Sequence, residues 1–158
     1  MKVTIDGQSI EVEAGTTILQ AARMIGGEVV PPAMCYYSKL KGTGGKCRCC
    51  LVDVTKGSEA DPRPMPKLVA SCVTGCQDGM EIASKASPRV QEARKSVTEF
   101  LLINHPLDCP VCDQAGECDL QNLSFEHGNP KSRFIEEKRT FEPEDIGPNI
   151  QLHMNRCI

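Results

Sequence analysis

Met1-Lys2-Val3-Thr4-Ile5-Asp6-Gly7-Gln8-Ser9-Ile10-Glu11-Val12 opens the chain. Val3 and Ile5 alternate with polar neighbours, Ile10 and Val12 do the same, and Asp6-Gly7 separates the two runs. Asp-Gly between alternating segments predicts a β-hairpin, because Gly accepts the positive φ of a tight turn. Thr17 and Gln20 then stand three residues apart in a capping-box pattern, which satisfies the first free N–H groups of a helix. That helix runs through Ile18, Leu19, Ala22 and Ile25, and Gly26-Gly27 ends it. A hairpin followed by a helix is a β-grasp opening.

Further along, Leu51 to Thr55 reads as a strand, Lys67 to Ser71 as the next, and Met80 to Ile82 as a short one. Asp61 to Pro66 holds three prolines and reads as a loop. Ser87-Pro88 starts a helix, an oxygen cap followed by the residue whose missing N–H costs nothing there. Val90, Ala93, Val97 and Leu101 recur at helical spacing, and the helix should end near Asn104, before Pro106. Residues 105–130 read as a ligand-rich loop segment, and 131–158 as mixed, with basic Lys131, Arg133, Lys138 and Arg139.

The 158 residues include only 4% aromatics, no Trp and ten cysteines, so some staple beyond the apolar core is expected. A net charge of −3 gives no general pull toward nucleic acid or anionic lipid. No stretch reaches the roughly 18–20 apolar residues of a membrane span, and a charged N-terminus does not suit a signal peptide. The expectation is a soluble, cytoplasmic chain whose cysteines are ligands rather than disulfides.

Cys35, Cys47, Cys50 and Cys72 follow the spacing C-x11-C-x2-C-x21-C. Soft thiolates suit iron–sulfur cores, and Gly42, Gly44 and Gly45 would let backbone N–H groups approach the sulfurs. Two ferric ions, two sulfides and four thiolates carry a net of about −2, which such amides would stabilise. The competing set is Cys47, Cys50, Cys72 and Cys76, able to close a structural zinc site but leaving Cys35 and the glycine loop without a role. Gly42 to Lys46 does not fit a phosphate loop. Cys49 and Cys76 read as small apolar packing, and Lys46 and Arg48 as solvated charges.

His105-x3-Cys109-x2-Cys112-x5-Cys118 forms a second set, interrupted by Pro106, Pro110 and Gly116. It suits either a [4Fe–4S] cluster or a Cys3His zinc ion. In a cluster, a neutral imidazole in place of one thiolate removes a unit of negative charge, which taken alone raises the reduction potential. No paired acid and base, nucleophile or nucleotide loop accompanies these sets, so no substrate site is expected in the chain itself.

The stretches Gly45-Lys46-Cys47-Arg48-Cys49-Cys50-Leu51-Val52, Leu68-Val69-Ala70-Ser71-Cys72 and Glu99 to Gln121 together resemble one family. It is the large iron–sulfur subunit of respiratory NADH–quinone oxidoreductase, complex I, at its N-terminus. Related modules occur in NAD-reducing hydrogenases, iron-only hydrogenases and some formate dehydrogenases. The resemblance implies an α+β chain. Residues 1–87 would form a [2Fe–2S] ferredoxin-type β-grasp domain on Cys35, Cys47, Cys50 and Cys72. Residues 88–130 would form a helical [4Fe–4S] domain on His105, Cys109, Cys112 and Cys118. Residues 131–158 would be the truncated start of a further iron–sulfur segment, with Cys157 the first ligand of another [4Fe–4S] cluster left incomplete. It also implies single-electron transfer from a flavin subunit toward quinone, other peripheral-arm subunits as partners, and peripheral membrane association on the cytoplasmic side. Cys49 and Cys76 depart from the family, which favours apolar residues at both positions.

Overall fold

The computed structural model of the chain describes residues 1–156; Cys157, the expected first ligand of a further cluster, lies outside them. Two compact units divide it, Met1–Val97 and Thr98–Ile158.

The first unit begins with strands β1 (Lys2–Ile5) and β2 (Gln8–Glu11), paired antiparallel. Asp6 and Gly7 turn between them with φ of 45° and 81°, the backbone of a two-residue hairpin. Helix α1 (Ile18–Ile25) follows, with both halves of the Thr17–Gln20 capping box formed. It buries Ile18, Leu19, Ala21 and Ala22 completely. Three more strands, β3 (Leu51–Lys56), β4 (Val69–Ala70) and β5 (Glu81–Ala83), complete a mixed sheet of order β2-β1-β5-β3-β4. Its pair β1 and β5 runs parallel. Val3, Ile5, Val52, Val54, Met80 and Ile82 project from the sheet region into one core with α1. The β-grasp expectation is met, within an α+β chain.

Some elements differ from their sequence reading. The strand expected over 67–71 shrinks to β4, because Pro64 and Pro66 just before it lack ladder donors and Ser71 already enters a turn. The strand expected at 80–82 is shifted by one residue, to β5. Helix α2 (Pro88–Leu102) forms as expected, yet its most buried positions are Val90, Arg94 and Thr98 rather than the whole expected apolar series. Ala93, Val97 and Leu101 are half-buried.

In the second unit, residues 105–130 are not loop throughout. Cys109–Val111 forms a 3₁₀ turn, and Asp119–His127 forms helix α3, which buries Leu120 and Leu123. Strands β6 (Glu144–Gly147) and β7 (Ile150–Leu152) make a small hairpin that the prolines at 143 and 148 disguised in the sequence. Among the described residues, no helix is long and apolar enough to cross a membrane.

Asp6 ties the sheet to the segment leading into α2. Its carboxylate accepts hydrogen bonds from the backbone N–H groups of Ser84 and Lys85 at 2.7 and 2.9 Å, and from Ala86 at 3.4 Å. Asp6→Asn keeps a residue tolerant of the turn but halves the acceptor capacity. It should lower stability by about 1–3 kcal/mol, read as a reduced midpoint in anaerobic urea unfolding with unchanged slope.

Candidate metal centres

Strand pairing brings together two of the first cysteine set. Leu51 pairs with Ala70 across β3 and β4, and the Ser71 N–H donates to the Cys50 carbonyl at 3.1 Å. Cys50 and Cys72, flanking that ladder, are therefore brought together with their Sγ atoms 3.3 Å apart. This is far beyond the roughly 2.05 Å of a disulfide. It is close to the ~3.8 Å expected of two thiolates on one tetrahedral metal with bonds of about 2.3 Å. Both residues are buried, whereas Cys35 and Cys47 are half-exposed.

The loop between Cys35 and Cys50 supplies backbone donors. Gly45 N–H donates to Cys72 Sγ at 3.1 Å, while Lys46 and Cys47 N–H groups donate to Cys35 Sγ at 3.4 and 3.3 Å. Gly42, Gly44 and Gly45 all have positive φ, as does Arg48 at 64°. A Cβ on Gly44 would lie 3.2 Å from Cys72 Sγ and 3.5 Å from the Tyr36 ring. The glycine is needed there for both conformation and space. Thr43 Oγ1 braces the loop by accepting from Tyr37 N–H and donating to Tyr37 O at 2.9 Å. Tyr36 is held in turn by Gln20 Nε2, which donates to its hydroxyl, and by Arg23 over its ring.

The two extra cysteines sit differently. Cys76 packs in the core with Val3, Ile5 and Ile18, in a different cluster from Cys50 and Cys72, and burial pushes its thiol up. Cys49 is buried with its Sγ 3.7 Å from Met34 Sδ. Its thiol, by hydrogen bonding, draws the neighbouring Cys47 thiol down to about 4, while the same contact pushes Cys49 up. Negative charge therefore gathers on Cys47 rather than on Cys49. Cys72 is pushed up to about 11, mainly by burial and partly by the Cys50 thiol, so its thiolate calls for a strong positive partner. The Cys50–Cys72 sulfur pair, the N–H groups donated to Cys35 and Cys72 and the side-chain-free approach at Gly44 together fit a sulfur-bridged iron core.

The second set is strung along one segment. His105 follows the end of α2, Cys109 and Cys112 bracket the 3₁₀ turn with Cys112 N–H donating to Cys109 O, and Cys118 is the N-cap of α3. Gly116, with φ of 86°, makes the turn before Cys118, and its N–H donates to Gln121 Oε1. Among the described residues, no three His, Cys, Asp or Glu side chains are drawn around one point tightly enough for a single metal ion. His105 lies among charges that the sequence did not reveal as neighbours. Lys138 Nζ donates to the carbonyls of Leu102 and Ile103 at 2.8 and 3.0 Å, and Arg156 pairs with Asp108 at 2.6 Å. Burial first, then Lys138 and Arg156, holds the imidazole below its usual range against the opposing pull of Asp108. A neutral imidazole is the form that binds metal.

Residues 1–87 match the 2Fe-2S iron-sulfur cluster binding domain family, and residues 94–133 match the NADH-ubiquinone oxidoreductase-G iron-sulfur binding region. The chain is 49% identical to the mitochondrial NADH-ubiquinone oxidoreductase 78 kDa subunit of Candida albicans. It is 48% identical to the NADH-ubiquinone oxidoreductase 75 kDa subunit of Reclinomonas americana, and equally so to the corresponding NADH-quinone oxidoreductase subunit of Rickettsia bellii. Each match covers all of this chain but only 21% of the relative, so the chain spans about a fifth of their length. A solved NAD+-reducing [NiFe]-hydrogenase in its H2-reduced state superposes with a TM-score of 0.82 and 30% identity, covering 99% of this chain and 61% of that one. The chain thus belongs to the 2Fe–2S iron–sulfur cluster binding domain family, in the form found in the 75 and 78 kDa subunits of NADH–ubiquinone oxidoreductase.

Proposed function

We propose that the chain is the electron-relaying iron–sulfur portion of an NADH–quinone oxidoreductase, carrying single electrons from a flavin subunit toward quinone. Cys35, Cys47, Cys50 and Cys72 hold a [2Fe–2S] cluster, and His105, Cys109, Cys112 and Cys118 hold a [4Fe–4S] cluster. Domain limits of 1–87 and 88–130 follow this division, with 131–158 leading into a further iron–sulfur segment. The observation that carries the reading is the Cys50–Cys72 sulfur pair, with the Gly45 N–H donating to Cys72 Sγ and Gly44 leaving space beside it.

When bound, the clusters supply one-electron chemistry, and the protein supplies position, charge and hydrogen bonds. Gly45, Lys46 and Cys47 amides stabilise sulfur charge at the first site. Neutral His105 takes the place of one thiolate at the second. Other peripheral-arm subunits are the partners, and the chain reaches the membrane through them.

A second reading has its own support: the same module serving an NAD-reducing hydrogenase, on the strength of the 0.82 TM-score to such an enzyme. The 48–49% identity to the oxidoreductase subunits, against 30% to the hydrogenase, favours the first. Subunits copurifying with the chain distinguish the two.

Three measurements test the assignment. Anaerobic purification alongside cluster-assembly machinery should give brown protein with iron and acid-labile sulfide; colourless, zinc-loaded protein would overturn the iron–sulfur reading. Cys50→Ser or Cys72→Ser should abolish the [2Fe–2S] paramagnetic signal on reduction, and Cys76→Ser should leave it, whereas the opposite result for Cys72 and Cys76 would move the fourth ligand. Gly44→Ala, at φ of 101° and against Cys72 Sγ, carries a conformational cost of about 1–2 kcal/mol. It should lower [2Fe–2S] occupancy while the [4Fe–4S] signal is retained.

A further inference from the structure

Arg94 is a buried charge that neither ligand set explains. It lies on α2 and is only 4% exposed. A guanidinium so enclosed calls for negative charge nearby to offset its lost hydration. Nη2 donates to Ser84 Oγ at 2.9 Å and to the Leu51 carbonyl at 3.4 Å. Leu51 is the residue directly after Cys50, at the start of the β3 strand that fixes the Cys50–Cys72 pair.

Negative charge reaches it from two sides. Asp6 is one source, although its carboxylate is already shared among the N–H groups of Ser84, Lys85 and Ala86. The other is the cysteine side: a thiolate on Cys50, the residue before Leu51, favours the protonated guanidinium, as Asp6 does, against the burial that disfavours it. Arg stays protonated where a buried Lys would lose its charge.

We infer that Arg94 is the buried counter-cation of the first cluster, setting its reduction potential without ligating it. This rests on the ligand reading proposed above. The oxidised four-thiolate core carries about −2 and the reduced core one more negative charge. A fixed cation in a low-dielectric interior stabilises the reduced form more, and little solvent intervenes to screen it. Arg94 therefore raises the potential. Its hydrogen bonds to Leu51 and Ser84 hold the charge at a constant place, so Arg94 is a positioning residue for electrons rather than a ligand.

The test is an EPR-monitored redox titration of the anaerobically prepared protein, wild type against Arg94→Gln, Arg94→Met and Arg94→Lys, with the exposed Arg89→Gln as a charge control on the same helix. The Gln and Met variants should shift the reduced-to-oxidised ratio at least about tenfold toward oxidised, about 59 mV downward for one electron. The Lys variant should lie between them and wild type, and Arg89→Gln and the [4Fe–4S] potential should stay near wild type. If neither neutral variant retains the cluster, Arg94→His carries the test. Its potential should fall, relative to wild type, as pH rises through loss of the imidazolium charge. Unchanged potentials in the neutral variants, or an Arg94→His profile parallel to wild type, overturn this inference while leaving the cluster assignment standing. Wild-type protein lacking a [2Fe–2S] signal overturns the assignment beneath it.

Discussion

The β3–β4 ladder is the constraint on which the first site depends. Only two residues long on the β4 side, it pairs Leu51 with Ala70 and Val52 with Val69. Those pairs set Cys50 beside Cys72 although 21 residues separate them in sequence. Everything else at the site adjusts to that fixed pair. The glycine loop folds back so that its amides meet the sulfurs, and Cys35 receives two N–H donors from the residues approaching Cys47. A short ladder suffices because both ends are buried. Val52 is fully enclosed and Ala70 nearly so, and the interior resists the register slip that would carry Cys50 away from Cys72.

The fold's opening was legible because its signals are local. Asp6-Gly7 and the Thr17–Gln20 pair each act within a few residues, and the structure forms both. The spacing of the candidate ligands, Cys47-x2-Cys50 among them, was legible as a pattern as well. Helix α3 was not. Its apolar content is little more than Leu120 and Leu123 on the buried side, and Phe125 is 84% exposed. Cys118, read as part of a ligand loop, is also the residue that caps this helix. Strand β4 was over-read because Leu68 and Val69 suggest a longer strand than the preceding prolines permit. Arg94 and Lys138 were invisible for a different reason: each acts on backbone carbonyls distant in sequence, and no pattern of neighbours marks such a contact.

The adjacent cysteines illustrate how structure separates chemically identical candidates. Cys49 and Cys50 are both buried, so exposure does not distinguish them. Partners do: Cys50 meets Cys72, whereas Cys49 faces Met34 and the backbone of Cys47. Protonated, Cys49 can act as a weak donor toward its neighbour, which favours charge on Cys47. A residue that looked like surplus packing thus also shapes the electrostatics of a candidate ligand.

The two sites manage negative charge by different means. At the first, the sulfurs of Cys35 and Cys72 are met by backbone amides, and the enclosed guanidinium of Arg94 adds a full positive charge to the same unit. At the second, one candidate thiolate is replaced by an imidazole kept neutral by burial, with Lys138 and Arg156 adding positive field around it. Amides cost little to bury because they would need hydrogen-bond partners in any case. A buried cation, in contrast, must be held by groups that offset its lost hydration. At the second site the cations remain partly hydrated, and the neutral imidazole of His105 lies among them without a buried charge of its own. The difference follows from core size: the first unit encloses Arg94 within a five-stranded sheet and its helices, whereas the second has few fully buried side chains in which to enclose a charge.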